Sequence, residues 1–176
     1  MYEYRQLFTE KIRSSADREW GSKKEQLVSK YGWVVPNSEI VSVLREEDQI
    51  LEVGAGNGYL ANVVNTESAI VYPTDKYPPS KTWTNIHELG LQDIVRDEGS
   101  VPTTKIILTA WPPADSTLDV EIVQELEPSV LYYIGDLNSK VTGSADMENV
   151  MSAYSITEQI PVNGWLNTEY MYKFVL

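Results

Sequence analysis

Apolar positions recur three and four residues apart at the start of the chain. Tyr4, Leu7, Phe8 and Ile12 form one set, and Trp20, Leu27, Val28 and Tyr31 a second. This spacing lines up one face of a helix. It predicts two amphipathic helices, about 2–12 and about 15–30, with their charges outward and Gly32 closing the second. Pro36 then holds Val35 extended. Asn37 or Ser38 caps a third helix carrying Ile40, Val41, Val43 and Leu44. After the acidic turn Glu46-Glu47-Asp48 the pattern changes. Ile50, Leu51 and Val53, then Ala69 to Tyr72, Lys105 to Ala110 and Ser129 to Ile134, are short apolar runs of the kind buried parallel strands use. Helical spacing returns between and after them, at Leu60, Val63 and Val64, at Leu118, Ile122, Val123 and Leu126 (stopped by Pro128), and at Met147, Val150, Met151 and Tyr154. Ser144, in the turn Thr142-Gly143-Ser144, is the expected cap of the last of these.

Residues 76–104 are weakly patterned. Tyr77-Pro78-Pro79-Ser80 reads as a loop, and Trp83 to Leu89 as a short edge strand. Ile156 to Val162 and Tyr170 to Val175, joined through Asn163-Gly164, predict a terminal antiparallel hairpin with a long loop. The order is helices, then strands alternating with helices, then a hairpin. It predicts an α/β three-layer domain with a mostly parallel sheet and one reversed strand. Residues 1–30 form an N-terminal helical extension and residues 31–176 the main domain. A length of 176 residues suits one good core.

Chemistry concentrates between Gln49 and Leu60, where an apolar strand runs into Glu52-Val53-Gly54-Ala55-Gly56-Asn57-Gly58-Tyr59. Glycine at 54, 56 and 58 allows positive φ and close approach of a ligand to the backbone, and the helix that follows points free N–H groups at the loop. A dinucleotide fingerprint, Gly-x-Gly-x-x-Gly, needs glycine at position 59, where Tyr59 stands. A glycine-rich turn with no ligand is the bland alternative. Asp75 follows the second strand, at the edge where open α/β sheets bind ligands. It can accept hydrogen bonds from two hydroxyls or serve as a turn aspartate before Lys76. At the end of the next long strand, Trp111-Pro112-Pro113 faces the same cleft. Trp111 either stacks on a flat or cationic ligand or packs as a core ring. Asp136, after the strand Ser129 to Ile134, is a candidate base or substrate contact.

The acidic residue and alternating glycines of this loop resemble the first motif of the class I, Rossmann-like S-adenosylmethionine (SAM) methyltransferases. The resemblance covers residues 31–176 and is most specific over 49–60. It implies a Rossmann-like three-layer fold and SAM as cofactor. The methionine part and ribose of SAM are expected on Glu52, Gly54, Ala55, Gly56, Asn57 and Gly58, and the ribose hydroxyls on Asp75. The adenine amine is expected on Asp93, with Glu88 as the second candidate, although Asp93 also reads as a solvated helix-start residue. The segment from Tyr31 to Pro36 is expected as a lid. Trp33, Trp111, Pro112 and Pro113 are expected against the acceptor, and Trp111 and Asp136 at the reacting centre. Amino-group methyltransferases carry Asp/Asn/Ser-Pro-Pro-aromatic where this chain has Trp111-Pro112-Pro113-Ala114. Indole has a donor but no acceptor for an amine hydrogen, so the likeness to amino-methylation is weakened. The motif set Tyr31-Gly32-Trp33-Val34-Val35-Pro36, the glycine loop, Trp-Pro-Pro and Tyr133-Ile134-Gly135-Asp136 also looks like a small branch of methyltransferase-like proteins of undefined substrate.

Composition narrows this further. The chain has no cysteine and a single histidine, His87. That excludes disulfides, a thiolate nucleophile and a zinc site built on cysteine or several histidines, and no metal is expected. Net charge is −12. Residues 1–30 carry seven Lys/Arg against five Asp/Glu, and residues 31–176 carry seven against twenty-one. Such a body repels phosphate backbones and disfavours direct nucleic-acid binding. No apolar run matches a membrane span and no signal peptide is visible, so a cytoplasmic protein is expected. The acceptor is then a small molecule or a protein, and the N-terminal helices offer a surface for homo-oligomerisation. The reading from another functional class is a methyltransferase-like domain, with or without bound SAM, that acts as an interaction or regulatory protein without turnover.

Overall fold

The computed structural model describes residues 3–13, 20–96, 101–138 and 141–176. Positions 15–19 of the expected second helix, and the side chains of Ile12 and Trp20, lie outside the described residues. The chain opens with helices α1 (Glu3–Arg13), α2 (Trp20–Tyr31) and α3 (Ser38–Leu44). Asn37 caps α3, its side-chain oxygen accepting from the Ile40 N–H at 2.9 Å. Strands and helices then alternate: β1 (Gln49–Val53), α4 (Tyr59–Val64), β2 (Ile70–Asp75), β3 (His87–Glu88), α5 (Leu91–Arg96), β4 (Ile106–Ala110), α6 (Leu118–Leu126), β5 (Val130–Gly135) and α7 (Met147–Val150). The hairpin of β6 (Ser155–Pro161) and β7 (Tyr170–Val175) ends the chain.

These strands form one seven-stranded sheet in the order β3-β2-β1-β4-β5-β7-β6. β7 is antiparallel to both of its neighbours, while β1 to β5 pair in parallel. Side chains alternate across a strand, so each strand feeds two cores. Ile50, Leu108, Tyr132 and Ile134 pack with α3 and α4 on one face. Leu51, Ile107, Leu131 and Tyr133 pack with α5 and α6 on the other. The order reverses beside β1, so β1 and β4 part at their carboxyl ends and open a crevice there.

A third cluster ties the N-terminal helices to this edge. Tyr4, Phe8, Leu27, Tyr31, Val35 and Tyr59 are buried together. Tyr4 stacks on Tyr31 with centroids 4.6 Å apart, and its hydroxyl donates to the Gly32 carbonyl at 2.9 Å. The Arg5 guanidinium donates to the carbonyls of Val35 at 2.6 Å and Asn163 at 2.8 Å, and to that of Val162. The helices therefore cap the main domain over the glycine loop.

One local expectation is corrected. α7 is a four-residue turn continued by a 3₁₀ turn, Met151–Ala153, and its N-cap is Asp146, not Ser144. Ser144 stands two residues earlier: its N–H donates to the buried Asp119 carboxylate at 2.8 Å, and its hydroxyl accepts from the Asp146 N–H at 3.1 Å in a local turn. Among the described residues no helix is long and apolar enough to cross a membrane.

Candidate cofactor cleft and acceptor edge

The loop after β1 is held by its neighbour strand. The N–H groups of Gly54 and Ala55 both donate to the Thr74 carbonyl of β2 at 2.9 Å. Gly56 and Gly58 have φ of 58° and 72°, a region that side-chain-bearing residues seldom enter. A Cβ on Gly58 would collide with Ile86 and Thr84, whereas one on Gly56 would meet nothing within 4 Å. The loop is thus packed on one side and open on the other.

Asp75 joins the loop to the end of β2. One carboxylate oxygen accepts from the Gly56 N–H at 2.8 Å and the other from the Tyr77 N–H at 2.8 Å. Each oxygen has two lone pairs, so each keeps one for a further donor. Glu52 is 2% exposed, and its Oε2 has no hydrogen-bond partner. Burial, with the nearby Asp75 charge adding to it, pushes its carboxyl up to about 8. A buried carboxyl without a partner is costly. Its side chain lines a cavity of about 80 Å³ together with Gly54 to Asn57 and Ala110, under the segment Tyr31 to Val34.

That segment is a strap. The Lys30 carbonyl, at its start, accepts from Asn57 Nδ2 at 3.1 Å and from Trp83 Nε1 at 2.6 Å. The Trp83 N–H in turn donates to the Asn57 carbonyl at 2.9 Å. Small-molecule pockets hold roughly 300 Å³ or more, so the cavity under the strap is small for a cofactor-sized ligand.

The second group of sequence-predicted residues lies at the end of β4. Trp111 has φ 52°, a strained value for a bulky residue. Its backbone N–H donates to the Ile134 carbonyl at 2.8 Å, and two side-chain contacts hold it. Its Nε1–H donates to Glu169 Oε1 at 2.8 Å, and its ring stacks on Trp33 with centroids 4.9 Å apart and an interplanar angle of 13°. The other Glu169 oxygen accepts from the Trp165 N–H at 3.1 Å. Burial pushes the Glu169 carboxyl up to about 7, against the lowering effect of these bonds and of Arg5. Pro112 is buried and its carbonyl accepts from the Gly143 N–H at 2.7 Å, while Pro113 bridges to Thr142.

The sequence-predicted residues therefore fall into three groups. Glu52, Gly54, Ala55, Gly56 and Asn57 line one cavity with Trp33 in its roof, and Gly58 and Asp75 support it. Trp111, Pro112 and Pro113 stand at the adjoining strand end. Asp93 and Asp136 are placed elsewhere. Asp93 is exposed in the first turn of α5, and its carboxylate accepts from the Gly90 N–H at 2.9 Å. Glu88, not Asp93, stands beside Asp75 across the β2–β3 pair. Asp136 is fully buried. Its carboxylate accepts from the Asn138 N–H at 2.9 Å and from the Thr168 hydroxyl, so it anchors two loops to each other and does not line the cavity. Sequence reasoning missed Glu169, Trp165 and Trp83. For Glu169 a signal existed: a reversed strand begins at the carboxyl edge of its parallel neighbours, so residues just before β7 arrive at the cleft.

The strand order with its reversed β7, the β1 acidic residue and the glycine loop make up the fold of the class I SAM-dependent methyltransferases. Solved structures with this architecture include magnesium protoporphyrin IX methyltransferase ChlM from Synechocystis PCC 6803 with bound SAM, at TM-score 0.55 and 12% identity over 99% of this chain and 98% of that one. The O-methyltransferase TomG of tomaymycin synthesis from Streptomyces achromogenes, in complex with SAM, matches at TM-score 0.52 and 13% identity over 99% of both chains. The SAM-dependent methyltransferase SibL in its apo form matches at TM-score 0.51 and 15% identity over 99% of this chain and 70% of that one. No family model and no curated protein sequence matches the chain.

Proposed function

We propose that the protein is a SAM-dependent methyltransferase. The observation that carries this reading is the unpartnered Glu52 carboxyl in a cavity floored by the open side of the glycine loop. A cationic ligand would give that carboxyl the partner it lacks, and SAM carries both an ammonium and a sulfonium. When bound, SAM supplies a methyl group already activated by the sulfonium. The chain's own residues bind and orient. Glu52 faces the positive methionine end, and the backbone of Gly54 to Gly58 lets the ligand lie close. Asp75 offers its two remaining lone pairs to the ribose hydroxyls. Trp33, Trp111, Pro112 and Pro113 border the acceptor side, and alignment there is what accelerates transfer. The acceptor is a small molecule or a protein, since the acidic body repels nucleic acid.

Calorimetric titration with SAM and S-adenosylhomocysteine, beside NAD, tests the reading. Micromolar binding of the first two, about −8 kcal/mol, with none of NAD, is the expected result. Asp75→Ala is expected to weaken SAM about a hundredfold, the worth of two charge-assisted hydrogen bonds, with an unchanged circular dichroism spectrum. Unchanged affinity would remove Asp75 from the ribose site. A second reading has an observation of its own: the strap closes the cavity to about 80 Å³. A methyltransferase-like domain that only interacts or regulates would keep that closure. Failure of all three ligands to bind favours it.

A further inference from the structure

The side chain of Lys24, on α2, lies over two tryptophans. Its Nζ is 5.0 Å from the Trp33 ring centroid and 5.4 Å from that of Trp165. Among the described residues this ammonium has no ion-pair partner. Its attraction is to ring faces, the geometry in which aromatic quadrupoles hold organic cations. The place matters as much as the geometry. Trp33 is 41% exposed and stacks on Trp111 at the end of β4. The Trp165 ring packs against Phe8 with centroids 4.8 Å apart, and its backbone N–H donates to Glu169. Two indole rings thus share one ammonium beside the end of β4, near the buried Glu169 carboxyl, in a body of strongly negative charge.

We propose that Trp33 and Trp165 form a recognition site for an organic ammonium group, the anchor of the acceptor molecule, and that Lys24 fills this site when the acceptor is absent. Calling the ligand the acceptor rests on the methyltransferase reading; the cation site does not. Attraction to the ring faces requires the charged form, so the anchored ammonium is distinct from the reacting atom. A neutral acceptor of the same shape is discriminated against.

The probe is choline, with 3,3-dimethylbutan-1-ol as its neutral carbon counterpart, followed through the indole N–H resonances of Trp33 and Trp165. Choline is expected to shift both signals saturably, and the alcohol to shift neither. Lys24→Ala removes the internal competitor and is expected to tighten choline about tenfold. Lys24→Gln, which also removes the charge, serves as a second variant read the same way. Equal response to choline and the alcohol, or no tightening in either variant, overturns the proposal. SAM titration of the same samples separates the two readings. Choline binding without SAM binding defeats the methyltransferase assignment alone. SAM binding without a choline preference defeats the cation site alone.

Discussion

At Glu52 a single proton links binding to pH. Its carboxyl is pushed up to about 8, so at pH 7 it is mostly protonated in the ligand-free protein. A positive charge placed within a few ångströms favours the ionised form. SAM binding at pH 7 is therefore expected to release up to one proton. Calorimetry in two buffers of different ionisation enthalpy reads this directly, and Glu52→Gln is expected to abolish the buffer dependence. Buffer-independent heats in the wild type would mean the ligand's charge does not reach Glu52. This residue was legible because its signal is local: an acidic residue two positions before alternating glycines. Asp75 was legible for the same reason, standing at a strand end. Glu169 was not, because its role depends on a chain reversal that brings it against Trp111, 58 positions away. Asp136 looked functional by position, but its polar atoms turn to Asn138 and Thr168, partners no sequence pattern names.

At the scale of elements, the strap between α2 and α3 roofs the cavity beside the glycine loop, and its release is expected to set how fast SAM enters. Its start is held by two donors to one carbonyl, from Asn57 and Trp83. Trp83→Phe keeps a ring to stack on Tyr31, 5.5 Å away, but loses the indole donor. One hydrogen bond is worth about 1 kcal/mol, so SAM association is expected to speed up by about fivefold in stopped-flow fluorescence. An unchanged rate would show that the strap does not gate binding. Periodicity announced the central strands, the hairpin and α3 with a cap at Asn37 or Ser38, since a sheet with covered faces leaves apolar runs in its central strands. It could not announce that α1 and α2 lie over the glycine loop. That packing rests on tyrosines 4, 31 and 59 meeting across distant segments. Truncating Tyr4, which is fully buried, to Ala is expected to cost about 3–5 kcal/mol in urea unfolding. A loss below about 1 kcal/mol would mean that the helices dock weakly.

For the whole molecule, two buried carboxyls set the direction in which pH acts on stability. Glu52 and Glu169 are raised to about 8 and about 7. Above pH 4.5 or so the unfolded chain gives up both protons, while the folded chain keeps them until pH passes 7 to 8. The folded state then binds more protons, so stability falls as pH rises through that window, by up to about 1.4 kcal/mol per pH unit for each group. Both contributions are fully present below the unfolded values. A net charge of −12 pushes the same way, because self-repulsion grows as exposed carboxylates ionise. Salt separates the two causes. Repulsion between exposed charges is screened at 0.5 M salt, whereas the desolvation of a buried carboxylate is not. Thermal unfolding is therefore expected to show a lower midpoint at pH 8 than at pH 5.5 even in 0.5 M sodium chloride. Glu169→Gln, which keeps an acceptor for Trp111, is expected to flatten the profile most between pH 5 and 7, and Glu52→Gln up to pH 8. A profile that salt alone makes flat would assign the whole effect to the surface and return both carboxyls to ordinary values.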